Sequence, residues 1–172
     1  MRTLLAALLM ATVVAGCGFQ LRGSASAQLP YKTFYIALPA DAEQAIWLKR
    51  YIESAGGTTL TARPQDAEAI LQQLYDRRDK GILSVDAQGQ VREYRLQVTY
   101  GFRVVDAKGR TLVPPSEITV IRDMTYNASA VLAKEQEEML LWRDVNFDVA
   151  SQIVRRLAIV KPRNPEQEEE TP

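Results

Sequence analysis

The sequence predicts an α+β fold, with two helices packed on one face of a four-stranded, mostly antiparallel sheet. Three observations carry this. From Glu93 to Val105, apolar Tyr94, Leu96, Val98, Tyr100, Phe102 and Val104 alternate with Glu93, Arg95, Gln97, Thr99 and Arg103. That period of two marks a strand with one buried face and one wet face. Turn signals flank the stretch, Asp86-Ala87-Gln88-Gly89-Gln90 before it and Asp106-Ala107-Lys108-Gly109 after it, so its neighbours run antiparallel. Apolar residues at helical spacing occur twice, once before and once after this meander.

The elements follow in order. Tyr31 to Leu38 is the first strand, with Phe34, Ile36 and Leu38 on one face and Pro39 ending it. Asp41 is placed to cap a helix, with Gln44 three residues on as capping-box partner. Ala45, Leu48, Ile52 and Ala55 form the apolar stripe, and Gly56-Gly57 closes the helix. Asp66 to Arg78 reads as the second strand, with imperfect alternation. Glu93 to Val105 is the third. Thr111 to Tyr126 is the fourth, and Pro114-Pro115, which cannot donate to a ladder, predict an edge or a bulge. Asn127 or Ser129 then caps a second helix reaching about Val160. Its stripe is Met139, Trp142, Val145, Val149, Ile153 and Leu157. The polar residues of the central strands would form a sheet face open to solvent or to a partner.

The N-terminus reads as an address. Arg2 gives a positive start, and Leu4 to Val14 is apolar apart from Thr12. A helical span of a bilayer needs about 20 residues, so this run has the length of a signal-peptide core instead. It ends in Val14-Ala15-Gly16-Cys17, which resembles the bacterial lipobox, where the cysteine is acylated and becomes the first residue. The bland alternative is a lone thiol near an ordinary secretory cleavage site. The reading divides the chain into a lipoprotein signal peptide over 1–16, a lipidated tether over 17–30, a folded domain over 31–160 and a disordered acidic tail over 161–172. Gly18 stands where an aspartate tends to retain such lipoproteins in the inner membrane, so the outer membrane is expected.

Composition narrows the function. The 172 residues suit one domain with tails. Lys and Arg number 21, as do Asp and Glu, and this balance argues against a nucleic-acid partner. The chain has no histidine, which removes His-based triads and His-ligated zinc or haem. Its single cysteine can form neither an intrachain disulfide nor a metal cluster. With no nucleophile elbow either, no enzyme, cofactor or metal site is expected.

The motifs resemble one family. Cys17-Gly18-Phe19-Gln20-Leu21-Arg22-Gly23 is similar to the start of mature LptE lipoproteins. The similarity continues at Gly89-Gln90 with Glu93-Tyr94, then at Leu132-Ala133-Lys134-Glu135 with Glu138. It ends with Gln152-Ile153-Val154-Arg155-Arg156-Leu157. The resemblance implies two helices on a four-stranded sheet. It also implies a plug inside the LptD β-barrel that assists barrel assembly and binds lipopolysaccharide on its way to the outer leaflet. Cys17 would be the lipid anchor, carrying palmitate or similar acyl chains. Lys134 stands at the family lysine associated with lipopolysaccharide. The family's basic residue before Gly-Gln is missing here, where Asp86, Ala87 and Gln88 stand, and Arg92 just past the turn is taken in its place. The competing reading is a free-standing outer-membrane lipoprotein that binds cell-wall or other envelope polymers.

The residues themselves are compatible with this. From Arg77 to Arg122 basic side chains outnumber acidic ones within a neutral chain, so the meander is a candidate phosphate-facing or barrel-facing surface. A solvated sheet face with scattered ions explains the same excess. Lys134 also reads as a helix-start lysine pairing with Glu137 or Glu138. Glu137, Glu138 and Asp144 read as a charged helix face, and Trp47 and Trp142 as core or barrel-wall contacts.

Overall fold

The computed structural model describes residues 28–160. The expected signal peptide, Cys17, most of the tether and the acidic tail lie outside the described residues. Strands are β1 (Thr33–Ala37), β2 (Thr59–Leu60), β3 (Ala69–Val85), β4 (Val91–Val105) and β5 (Thr111–Thr125). Helices are α1 (Glu43–Ala55) and α2 (Val131–Ile159). The sheet order is β2-β1-β3-β4-β5. The α+β class holds, with both helices on one face. The four expected strands are β1, β3, β4 and β5, joined by a two-residue β2 too short to leave a sequence pattern.

The sheet is mixed. β3-β4-β5 is an antiparallel meander, whereas β1 pairs parallel with both β2 and β3. The cause is the crossover through α1, which returns the chain to the sheet in its original direction. β4 supplies the core. Leu96, Val98, Tyr100, Phe102 and Val104 are fully buried on its helix-covered face. The last four meet Phe34 and Leu71 from the sheet, Leu48 and Ile52 from α1, and Val145, Val149, Ile153 and Leu157 from α2. Each such side chain contributes about 1.5–3 kcal/mol by leaving water. Leu29 and Tyr31 also pack here, so ordered packing begins inside the stretch read as tether.

Two expectations change. The Asp41–Gln44 capping box does not form. The N-cap of α1 is Ala42, which has no capping side chain, and the Ala42 N–H donates to the Pro39 carbonyl. Gln44 points into the helix–helix contact, where its amide donates to Asn146 at 3.0 Å, and Asn146 donates to Glu43. Burial of the Gln44 amide nitrogen between the helices makes its Asn146 acceptor worth more than a cap, while the Gln44 Oε1 has no hydrogen-bond partner among the described residues. Met139, expected in the α2 stripe, is exposed. Among the described residues, α2 buries nothing before Val145, because its first half extends beyond α1.

The turns behave as read. Asp86 Oδ1 accepts from the N–H groups of Gln88 and Gln90, and Asp106 Oδ1 accepts from those of Lys108 and Arg110. Gly89 and Gly109 take φ of 79° and 82°, where a side chain would be strained. Pro114-Pro115 lie on the edge strand and within a bulge: register passes from Phe102↔Ser116 to Val104↔Val113. Asn127 caps the single 3₁₀ turn that leads into α2 by accepting from the Ser129 N–H.

Asp106 is poised by opposing effects. Burial raises its pKa, but the Arg110 side chain and the two backbone N–H groups outweigh this and hold it below 3.8. A lowered folded pKa stabilises the protein above the unfolded value, and that stability is lost as pH falls through the folded one. Asp106→Asn should therefore destabilise the domain by about 1 kcal/mol at neutral pH. In thermal unfolding at a series of pH values, the gap from the parent should close below roughly pH 3.9.

Candidate functional site

The structure brings the two predicted ligand-binding residues to one end of the molecule. Arg92 sits at the start of β4, and its carbonyl accepts from the Tyr126 N–H at 2.7 Å. Lys134 sits near the start of α2, and its Nζ donates to Thr125 Oγ1 at 3.0 Å and to Glu137 Oε2 at 2.7 Å. Thr125 and Tyr126 thus join the two. Arg92 is exposed, and among the described residues its guanidinium makes no ion pair. Lys134 is half-buried, and its pairing with Glu137 is the one its helical spacing predicts. Cys17 lies outside the described residues.

Sequence reasoning missed several neighbours. β3 runs on to Val85, past the expected end at Arg78. The extension carries Lys80, whose Nζ lies 4.4 Å from the Tyr94 ring centroid and 2.5 Å from Glu138 Oε2. Tyr94 packs edge-on against Tyr126 with centroids 5.3 Å apart. Exposed aliphatic side chains share this end: Ile82 at 62%, with Leu83 and Val85, on β3, and Leu132 at 77%, with Val131, on α2. The signal for them is apolar residues continuing through Ile82-Leu83 up to the Asp86 turn. This end therefore combines cations, two tyrosines and uncovered aliphatic groups.

The basic excess of the meander is divided between the two sheet faces. On the helix-covered face, Arg78 pairs with Asp76, Lys80 with Glu138, and Arg122 with Asp144 at 3.1 Å and Asp148 at 2.5 Å. Those two carboxylates hold the Arg122 pKa above its ordinary value, the Asp148 hydrogen bond foremost. The three acids read as a charged helix face, Glu137, Glu138 and Asp144, are thus each an ion-pair partner.

On the open face, Arg95 forms a bidentate pair with Asp123, at 2.8 and 2.9 Å. Arg103 donates to Gln72, and Tyr75 donates to Glu117 at 2.7 Å. That last bond and burial raise the Tyr75 pKa, while the Arg95 bond lowers that of Asp123. Burial, with nearby Asp76, pushes the Tyr100 hydroxyl far above its ordinary range on the core side, where it donates to Gln73. Trp47 and Trp142 are half-buried against the core.

An open groove of about 760 Å³ lies between α1 and the β1–β2 edge. It is lined by Ile36, Leu38, Ile46 and Leu60, with Lys49 and Arg50 beside them, and it contains neither Arg92 nor Lys134. Among the described residues there is no cluster of three metal-ligating side chains, and no helix is long and apolar enough to cross a membrane.

The LptE family, described as lipopolysaccharide-assembly, matches residues 31–157. The chain is 26% identical over 152 residues to the LPS-assembly lipoprotein LptE of Pectobacterium atrosepticum, covering 86% of this chain and 80% of that protein. An uncharacterized lipoprotein B from Nitrosomonas europaea, solved by solution NMR, superposes with a TM-score of 0.70 at 33% identity, over 82% of this chain and 90% of that one. A minor lipoprotein from Acinetobacter baumannii superposes with a TM-score of 0.64 at 28% identity, over 76% and 92% of the two chains.

The open face has one point of close approach. The Tyr75 ring lies over Gly101, and a Cβ there would run into it. Gly101→Ala should force Tyr75 off Glu117 and destabilise the domain by about 1–3 kcal/mol. In a double-mutant cycle read by denaturant unfolding, Tyr75→Ala should remove most of that added cost.

Proposed function

The chain belongs to the LptE family of lipopolysaccharide assembly, and from that premise we propose that it is a non-enzymatic envelope lipoprotein of lipopolysaccharide transport. In this reading acylated Cys17 anchors it in the outer membrane, and the domain plugs the LptD-like β-barrel and assists its assembly. It binds lipopolysaccharide at the end that holds Arg92 and Lys134.

The observation that carries the reading is the mixed character of that end. Lipopolysaccharide joins phosphates to acyl chains. Arg92 is an uncommitted cation, and Ile82, Leu83, Val85 and Leu132 are aliphatic groups uncovered beside it. Lys134 can exchange Glu137 for a phosphate at small cost, because such a pair on a helix is worth only about 0.2–0.5 kcal/mol. A phosphate would offer Lys134 a charge-assisted bond of the same kind as the pair it replaces. The aliphatic groups would loosen packing between amphiphiles rather than enclose a whole lipid. The open sheet face, polar and internally paired through Arg95–Asp123 and Tyr75–Glu117, suits the polar interior of a barrel.

Affinity purification of the intact lipoprotein from outer membranes tests the partner. A stoichiometric large β-barrel is expected. Recovery of the lipoprotein alone in mild detergent would transfer the reading to a free-standing lipoprotein that binds envelope polymers. Arg92→Glu with Lys134→Glu should weaken lipopolysaccharide binding by roughly tenfold or more, the scale of one lost charged contact. Unchanged binding with an unchanged fold would remove both residues from the site. Cys17→Ala should leave a folded domain that fractionates away from the membrane unless the barrel retains it.

A further inference from the structure

Two neighbouring acids on α2 each hold one lysine, and the lysines are tied to opposite sides of β4. Glu137 accepts from Lys134 at 2.7 Å, and the same Nζ donates to Thr125 on β5. Glu138 accepts from Lys80 on β3 at 2.5 Å. β4 lies between β3 and β5, so the two ammonium groups are anchored two strand spacings apart, about 10 Å. The tyrosine pair occupies the interval. Lys80 Nζ lies 4.4 Å from the Tyr94 ring centroid, Tyr94 packs edge-on against Tyr126, and the Tyr126 N–H donates to the Arg92 carbonyl.

Lys80 is placed to change partners. It faces Leu96 across the β3–β4 ladder, as Ile82 faces Tyr94, so it shares their helix-covered side. Its side chain keeps 37% of its surface, and Ile82 beside it is exposed, so an anion at this margin reaches the ammonium from solvent. The face of the Tyr94 ring attracts the ammonium whichever anion it meets. Glu138 has a second partner of its own. Its Oε1 accepts from the Trp142 indole N–H at 3.3 Å, which keeps the carboxylate bonded when Lys80 leaves. A partly exposed ion pair adds little to stability, so exchange of one anion for another is nearly balanced.

We propose that Lys80 is a second phosphate-binding cation of this end, which therefore selects amphiphiles whose head group carries two phosphates. One phosphate is taken by Lys134 with Arg92, the other by Lys80, and Glu137 and Glu138 are the carboxylates they displace. The proposal rests on the lipopolysaccharide reading and deepens it. Selectivity follows from the geometry. A head group with one phosphate satisfies one lysine and leaves the other on its carboxylate, whereas two phosphates spaced to match the two anchors satisfy both. A Lys80 that only fastened α2 to β3 would give no preference between such ligands.

Binding of two probes to the intact lipoprotein in mild detergent tests this. One is the diphosphorylated lipid moiety of lipopolysaccharide, and the other is the same lipid with one phosphate removed. The unaltered chain should prefer the first. Lys80→Met, whose side chain still covers Tyr94, should weaken binding of the diphosphorylated probe by roughly tenfold, the scale of one lost charged contact, and leave the other probe unchanged. Glu138→Gln keeps an acceptor for Trp142 without the charge, and it should strengthen binding of the diphosphorylated probe roughly two- to fivefold, the scale of one exposed ion pair. That variant carries the test if Lys80→Met fails to fold, because loosening a mere fastener would not tighten binding. Equal loss of both probes in Lys80→Met would overturn the proposal, as would unchanged or weaker binding in Glu138→Gln. If Arg92→Glu with Lys134→Glu weakens binding while neither of these variants alters it, the binding end stands and Lys80 leaves it. A chain that binds neither probe removes the binding end and this proposal together.

Discussion

One face of β4 holds the domain together. Leu96, Val98, Tyr100, Phe102 and Val104 are removed from water on that face, while Arg95, Gln97, Thr99 and Arg103 occupy the other. Neither helix could bury its stripe without this surface, and most helical stability comes from such packing. Val145, Val149, Ile153 and Leu157 register α2 against it, and Leu48 and Ile52 do the same for α1. The bond from Gln44 to Asn146 then fixes the helices against each other in an otherwise apolar layer.

The lengths of the two helices produce the proposed binding end. α1 has 13 residues and α2 has 29, so α2 is roughly 43 Å long and overhangs its partner. The β3–β4 hairpin extends over the same end. What would be core beneath a longer α1 is instead a surface of Lys80, Tyr94, Tyr126 and uncovered aliphatic groups, with Arg92 and Lys134 beside it. The family relationship and the physical character of this end point the same way. A neutral chain offers an anionic amphiphile a cationic and aliphatic end without a general basic field.

The charged residues specify more than they stabilise. Exposed ion pairs are screened by water and cost side-chain entropy, so Arg95–Asp123 and Lys80–Glu138 add little to folding free energy. They do commit most cations of the meander to partners within the chain. Arg92, like Arg77, Arg103 and Lys108, makes no ion pair among the described residues, and of these four it is the one at the end that holds Lys134. The two sheet edges differ likewise: prolines and arginine contacts interrupt β5, whereas β3 beyond Gln72 has a strand on one side only among the described residues.

Much of the fold was legible because its signals are local. β4 showed in the alternation of residues 93–105, the Asp-x-x-Gly turns in their spacing, α1 in its stripe and glycine stop, and the Pro114-Pro115 irregularity in the missing donors. The end of β3 was not legible, since Asp79-Lys80-Gly81 looks like a loop until β4 pairs with it. Of the candidate site, Lys134 came from its place in the resembled motif and Arg92 from the cation just past a turn where that motif fails, whereas Lys80 and the tyrosine pair came from neither motif nor period. The sequence by itself determined which side chains are buried on each element, because periods of two and of about 3.6 are set by backbone geometry. Only the tertiary structure decided the parallel entry of β1, the turning of Gln44 from cap to clasp, the pairing of cations and the uncovered edge of β3. Those depend on groups far apart in the chain, such as Lys80 and Glu138, 58 residues apart, whose meeting no local pattern encodes.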